Sequence, residues 1–97
     1  MNMTEVLAEA IPFGRENAIS RERLSIELKM GDRKVREYIR RARKDGLMIM
    51  NFGGGYFQAE NLDEISRQYW EDTARALAIL DRRKRMRAIL KAAGRTV

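Results

Sequence analysis

Apolar residues recur every three or four positions along several stretches of the chain, a spacing that predicts α-helices with one buried face. Three short stretches of this kind cover about residues 4–10, 21–29 and 33–45. A fourth begins at Asn61 and meets no glycine or proline before Gly94, which predicts one long C-terminal helix. The chain is therefore expected to be mainly helical.

The second and third stretches carry signals for where each helix begins and ends. Ser20 is a favourable N-cap for the second helix, and Asp32 is expected to cap the third. Gly46 follows the third helix, where a left-handed backbone is needed. Within the third helix, three apolar residues fall on one side and are expected to face the core. They are Val35, Ile39 and Ala42.

Two short runs after Gly46 suit β-strands rather than helices. Leu47–Asn51 and Tyr56–Ala59 combine apolar and aromatic residues, and the glycines at 53–55 lie between them. These runs predict a two-stranded hairpin with a flexible turn. One or two residues at Ala18–Ile19 are expected to form a short edge strand.

The long helix poses a packing question. Residues 1–60 are expected to form a compact domain, and residues 61–97 an oligomerisation or interaction element with a basic end. Within that element Trp70, Leu77 and Leu80 are apolar and need a partner surface. We predict that this partner is a second copy, most simply an antiparallel dimer; folding back onto the first helix is the alternative.

Charge is distributed in blocks. Residues 33–44 hold seven Lys or Arg against one acid, Glu37, which gives this segment +6. Residues 1–32 carry −2, residues 45–81 carry −5 and residues 82–97 carry +7, so the chain as a whole carries +6. A solvated surface normally mixes both signs. The third helix is therefore expected to meet a polyanion, with a merely solvated face as the alternative.

The composition excludes several kinds of chemistry. The 97 residues contain no cysteine and no histidine, so disulfides, thiolate nucleophiles and the usual zinc ligands are absent. No arrangement of carboxylates suggests catalysis, and we expect no enzyme activity, no metal and no cofactor. The chain has no apolar run that would span a membrane and no signal-peptide order, so a cytoplasmic location is expected.

The order of these elements resembles the winged helix-turn-helix family of DNA-binding domains. The resemblance is carried by Ser20–Leu24, by Gly31–Ile39, by Asp45–Leu47 and by the glycines at 53–55, and it covers roughly residues 4–60. It is greatest for small winged-helix proteins of phages and mobile elements. The fold it implies has three helices and a two-stranded wing, here followed by one long helix.

The resemblance also implies which residues contact DNA. In this family the third helix enters the major groove. The start of the second helix is placed to bind a phosphate through the Ser20 hydroxyl, the Arg21 charge and free backbone amides. The corresponding residues here are Ser20, Arg21, Arg33, Lys34, Arg36, Glu37, Arg40, Arg41 and Lys44. Arginine suits guanine or phosphate, and Glu37 can accept from a cytosine amine.

The wing departs from the family pattern at its tip. Gly53, Gly54 and Gly55 replace the cations that often reach the minor groove, and no Arg or Lys lies between Asp45 and Glu60. A wing contact would use backbone amides, and a plain turn is the alternative. A second basic run, residues 82–87, is either a further contact or a solvated helix end.

The predicted function is binding of double-stranded DNA without catalysis, as a transcriptional regulator of phage or mobile-element origin. One alternative keeps DNA binding but places it in replication, excision or packaging, as in a small terminase subunit. Another is an adaptor whose basic helix binds an acidic protein.

Overall fold

The computed structural model describes residues 2–97, which form four α-helices and one small antiparallel sheet. The helices are α1 (Met3–Ala10), α2 (Arg21–Leu28), α3 (Asp32–Lys44) and α4 (Leu62–Ala92). The strands are β1 (Ile19–Ser20), β2 (Ile49–Phe52) and β3 (Gly55–Gln58), and a single 3₁₀ turn covers Arg15–Asn17. The predominantly helical class is confirmed.

The sheet has three strands, so the prediction of a two-stranded wing is wrong. The strand order is β1-β3-β2, with both pairings antiparallel. β1 extends the hairpin because Ile19 pairs with Tyr56, and Ser20 pairs with Gly55. A Cβ atom at Gly55 would lie 2.4 Å from the carbonyl oxygen of Ile19, so a glycine is required for β1 to approach. The predicted edge strand thus exists, one residue later than expected.

The backbone conformation of the turn between β2 and β3 explains why it contains glycines. Gly53 and Gly54 have φ values of +56° and +79°, and positive φ at both central residues is the condition for a tight type I′ hairpin. A Cβ at either position would meet no atom within 4 Å. The first two wing glycines therefore serve backbone conformation, whereas Gly55 serves close packing.

The N-terminal end of α3 differs from the prediction, and the C-terminal end agrees with it. Gly31 occupies the N-cap position without a side-chain cap, so the assignment of Asp32 as the cap is wrong. Gly46 has φ +99°, as expected, and its N–H donates to the carbonyl of Arg43. The Leu47 N–H donates to Ala42, which completes a Schellman motif.

α2 begins as predicted and ends differently. The Ser20 hydroxyl accepts from the Arg23 N–H at 3.1 Å, which confirms Ser20 as the N-cap. At the other end Lys29 adopts a left-handed conformation, with φ 54° and ψ 44°. The Met30 N–H then donates to Ser25. A lysine therefore occupies the position that glycine favours in a Schellman motif.

The core lies where α1, α2, α3 and the sheet meet. α3 packs against both α1 and α2. The main buried cluster consists of Leu7, Ile11, Leu24, Val35, Ile39, Ala42, Ile49 and Tyr56. The prediction that Val35, Ile39 and Ala42 face the core is confirmed.

Gln58 is the buried polar side chain that joins the sheet to α1. Its Nε2 donates to the carbonyls of Ala8 at 2.9 Å and Ile11 at 2.7 Å. Its backbone N–H donates to Pro12, and its carbonyl accepts from Gly14. The end of α1 is thereby satisfied by one side chain from β3.

The chain divides into two compact units, Met1–Ile65 and Ser66–Val97, with the boundary inside α4. Within the first unit, Asn61 accepts from the Glu64 N–H, which begins α4 as the capping signal predicts. The Glu64 carboxylate accepts from the backbone N–H groups of Arg15 and Glu60, both at 2.8 Å. These two bonds lower the pKa of Glu64.

Candidate nucleic-acid interface

The solvent face of α3 is the most strongly charged surface of the first unit. All seven α3 residues predicted to contact DNA are exposed, namely Arg33, Lys34, Arg36, Glu37, Arg40, Arg41 and Lys44. Because the buried residues of α3 recur at i, i+4 and i+7, one further group of residues points directly away from the core. That group is Arg33, Glu37, Arg40 and Lys44.

Five α3 cations have neither an ion pair nor a side-chain hydrogen bond among residues 2–97, since Arg36 pairs with Asp32 and Arg43 donates to β2. Within residues 2–97, the only α3 cation with a carboxylate oxygen inside 4.0 Å is Arg36. The unpaired cations are Arg33, Lys34, Arg40, Arg41 and Lys44. Their charge is available to an external partner.

Tyr38 supports two of these cations. The Lys34 ammonium lies 5.9 Å from the centre of the Tyr38 ring, and the Arg41 guanidinium lies 5.7 Å from it. Cations at this distance are attracted to the ring face without being neutralised. Tyr38 therefore helps to position two charges on adjacent turns of α3.

Asp32 binds two of the predicted contact residues. Arg21 donates to it in a bidentate arrangement, with Nε–Oδ1 at 3.0 Å and Nη2–Oδ2 at 2.7 Å. The Arg36 Nε lies 3.1 Å from Oδ2. The hydrogen bond from Arg21, assisted by both positive charges, lowers the pKa of Asp32, and the same hydrogen bond raises the pKa of Arg21. The sequence prediction missed this role because it assigned Asp32 to helix capping.

The start of α2 is partly occupied by contacts within the chain. The Ser20 hydroxyl caps the helix, and the Arg21 N–H donates to the carbonyl of Gly54 at 3.3 Å. Ser20, Arg21, Ser25, Asp32 and Gly54 line a shallow surface depression. A phosphate placed there would meet the Arg21 guanidinium at the cost of its bond to Asp32.

Arg43 is exposed, but its guanidinium is bound to β2. Its Nε donates to the carbonyl of Ile49 at 3.0 Å, and its Nη2 donates to the Asn51 side chain at 2.7 Å. The run of cations in the sequence does not reveal this difference. The position of Arg43 could have indicated a structural role, because it follows the buried Ala42 and precedes β2 by six residues.

A cation that the sequence reading missed lies beside the hairpin. The Arg15 guanidinium is 4.0 Å from the centre of the Phe52 ring, at the end of β2. The wing tip itself carries no cation, as its sequence requires. The loop before β1 nevertheless brings positive charge to the turn end of the hairpin, next to Gly53.

Comparisons with known proteins add no assignment. No protein-family model, curated protein or solved structure matches the chain. The candidate site therefore rests on the geometry described above.

Two further properties bear on possible ligands. Within residues 2–97, no cluster of three or more Asp, Glu, His or Cys side chains could hold a metal ion. No helix in the same part of the chain has both the length and the apolar character to cross a membrane.

The predicted oligomer contact lies in the second unit. Trp70, Leu77 and Leu80 are 63%, 61% and 56% exposed. These are large apolar surfaces to leave in water, so they remain candidates for a contact.

Proposed function

We propose that the chain binds double-stranded DNA through α3, as a winged helix-turn-helix protein without catalytic activity. The role proposed is that of a transcriptional regulator of phage or mobile-element origin. The observation that carries the proposal is the set of five exposed and unpaired cations on α3, the helix that also packs on the core with its opposite face.

The local arrangement of charge favours a polyanion over a solvated surface. The unit Met1–Ile65 contains eleven cations and eleven carboxylates, so it is neutral as a whole. Its cations are nevertheless concentrated on α3, where like charges repel each other. Duplex DNA supplies closely spaced phosphates, and neutralising them releases bound counterions.

Specific contacts would come from the residues that point directly away from the core. Arg33 and Arg40 have the planar donors that pair with guanine in the major groove. Glu37 lies between them on the same face and has no ion pair in the described residues, so it can accept from a cytosine amine. Lys34 and Arg41, beside Tyr38, would contact phosphates.

The test is a titration of the protein into a fluorescent random-sequence duplex, followed by anisotropy at several salt concentrations. The variant Lys34→Gln with Arg41→Gln removes the two unpaired cations proposed to contact phosphates, and within residues 2–97 it loses only their ring contacts with Tyr38. We expect weaker binding and a log–log salt slope shallower by about 2, since each lost phosphate contact contributes about 0.9.

The matched control is Arg82→Gln with Arg83→Gln, which lowers the net charge by the same amount outside α3. We expect the control to retain most of the slope of the original protein. A larger loss in the control would contradict α3 as the DNA-facing surface. No binding at about 50 mM salt would contradict DNA binding itself and leave an acidic protein as the partner of this face.

A further inference from the structure

One face of α4 changes character in an ordered way along its length. Positions separated alternately by three and four residues lie on the same face of a helix. From the start of α4 they read Asp63, Ser66, Trp70, Thr73, Leu77, Leu80, Lys84, Arg87 and Lys91. The face is thus polar or acidic at one end, apolar in the middle and basic at the other end.

The apolar middle of this face is exposed. Three large side chains within about 15 Å of helix are each more than half exposed, namely Trp70, Leu77 and Leu80. Such a strip on a helix is what a second helix covers in a paired structure. Its occupant is identified by the charges on either side.

The charge pattern is complementary to itself in one orientation only. Residues 66–81 carry −1, from two cations and three carboxylates, whereas residues 82–97 carry +7. A parallel pair would place Lys84, Arg87 and Lys91 against their own copies. An antiparallel pair would place each basic end against the other helix's less basic end.

We propose that α4 pairs with α4 of a second copy of this chain, antiparallel and centred near residue 75. In this register Trp70 packs on Leu80 of the partner subunit, and Thr73 packs on Leu77 of the partner subunit. At the ends of the contact, Ser66 faces the partner subunit's Lys84 and Asp63 faces the partner subunit's Arg87.

The register also places opposite charges beside the apolar contact. Arg67 and Asp81 lie on the same flank of this face, each seven residues from Ala74, so Arg67 of one copy lies near Asp81 of the partner subunit. Ala74 and Ala76 lie on either side of the centre and permit close approach. Because the apolar contact is short, we expect dissociation constants on the order of micromolar.

Sedimentation equilibrium of the full chain from about 1 to 200 μM is the first test, since association of this strength changes over that range. We expect a monomer–dimer equilibrium. The variant Leu77→Gln with Leu80→Gln should stay monomeric at least tenfold above the dissociation constant of the original protein. A monomer at every concentration, or a ring of higher order, would overturn the proposal.

The matched control is Ile79→Gln with Ile89→Gln. These two residues are also exposed and apolar, but they lie on the other side of α4. The control should dimerise like the original protein. Equal loss of dimer in both variants would show that exposed apolar area in general, and not this face, drives association.

Trp70 gives a direct reading of the contact because it is the only tryptophan among the 97 residues. Its emission should shift to shorter wavelength as concentration rises, as it becomes shielded from water. The Leu77→Gln, Leu80→Gln variant should lack this shift. A dimer whose tryptophan emission does not change would overturn the proposed register.

Orientation can be tested with single cysteines, because the chain has none of its own. Ser66→Cys and Lys84→Cys should form a disulfide when the two proteins are mixed, and neither should form one efficiently alone. Residue 66 and its own copy would be about 27 Å apart along the antiparallel pair, far beyond disulfide reach. Efficient disulfides within each single variant would instead indicate a parallel pair.

Discussion

At the scale of single residues, the cations of α3 divide between structural and exposed roles. Arg43 binds the backbone and side chain of β2, and Arg36 binds Asp32. Arg33, Arg40 and Lys44 have no carboxylate within 4.0 Å in the described residues. A count of basic residues therefore overstates the charge that α3 offers to a partner.

Replacing Gln58 by Glu should destabilise the fold strongly at neutral pH. The introduced carboxylate would face the carbonyl oxygens of Ala8 and Ile11, to which the present amide donates. We expect a loss of about 3 kcal/mol in the free energy of unfolding at pH 7, measured by urea denaturation.

The pH dependence of this loss has a definite sign. Burial against two carbonyls raises the folded-state pKa of the introduced carboxyl above its unfolded value, so the penalty is largest above the folded-state pKa. It should shrink as the pH falls and the group becomes a donor. The control Gln58→Met removes the donor without adding charge, and its loss should not depend on pH. An equal pH profile for both variants would contradict this account.

Replacing Lys29 by Gly should stabilise the chain. Lys29 holds a left-handed backbone that costs a side-chain-bearing residue about 1 kcal/mol, and glycine avoids that cost. We expect a gain of about 0.5–1 kcal/mol in unfolding free energy. Lys29→Ala is the control because it removes the same side chain but keeps the Cβ atom. If the alanine variant were as stable as the glycine variant, the left-handed cost would not be the cause.

At the scale of elements, Asp32 joins the start of α3 to the start of α2 through Arg21. Because the folded state lowers the pKa of Asp32, the ion pair stabilises the fold above the unfolded pKa, near 3.9. That contribution is lost as the pH falls through the lower folded-state pKa.

The variant Asp32→Asn should therefore melt below the original protein at pH 7, and the difference should narrow below about pH 4. Thermal unfolding followed by circular dichroism measures both. Glu37→Gln is the control, since it removes a carboxylate from the same helix without breaking an ion pair found in the described residues. A difference that persists unchanged into acid would point to a cause other than charge.

The same elements show what periodicity can and cannot predict. Local signals predicted all four helices, namely apolar spacing for α1 to α3 and, for α4, a cap at Asn61 with no glycine or proline before Gly94. The sequence predicted the short strand β1 but not its pairing with the hairpin. Its pairing depends on Gly55 meeting Ile19, a contact between residues far apart in the chain.

The sequence predicted which face of α3 is exposed, but it did not predict the contacts that its side chains make with other elements. Exposure of the α3 residues followed from the buried stripe. The bonds of Arg43 to β2 and of Asp32 to Arg21 required the spatial arrangement of separate elements. The cation beside Phe52 was missed for the same reason, because Arg15 is distant from the hairpin in sequence.

At the scale of the whole molecule, the net charge and the proposed DNA contact belong to different parts of the chain. The unit Ser66–Val97 contains nine cations and three carboxylates, so it carries the entire net charge of +6. Long-range attraction to nucleic acid would come mainly from this unit, whereas α3 would supply short-range contacts. The two charge-removing variants proposed above, one in α3 and one at Arg82 and Arg83, separate the two contributions.

The position of Arg43 also bears on how the chain behaves at high concentration. β2 lies at the edge of the sheet, where unpaired backbone groups can recruit strands from other molecules and begin aggregation. The Arg43 guanidinium occupies the Ile49 carbonyl on that strand and sets a positive charge beside it. Arg43 thus fills one backbone acceptor of an edge strand and places a charge beside it, and both features disfavour pairing with a strand from another molecule.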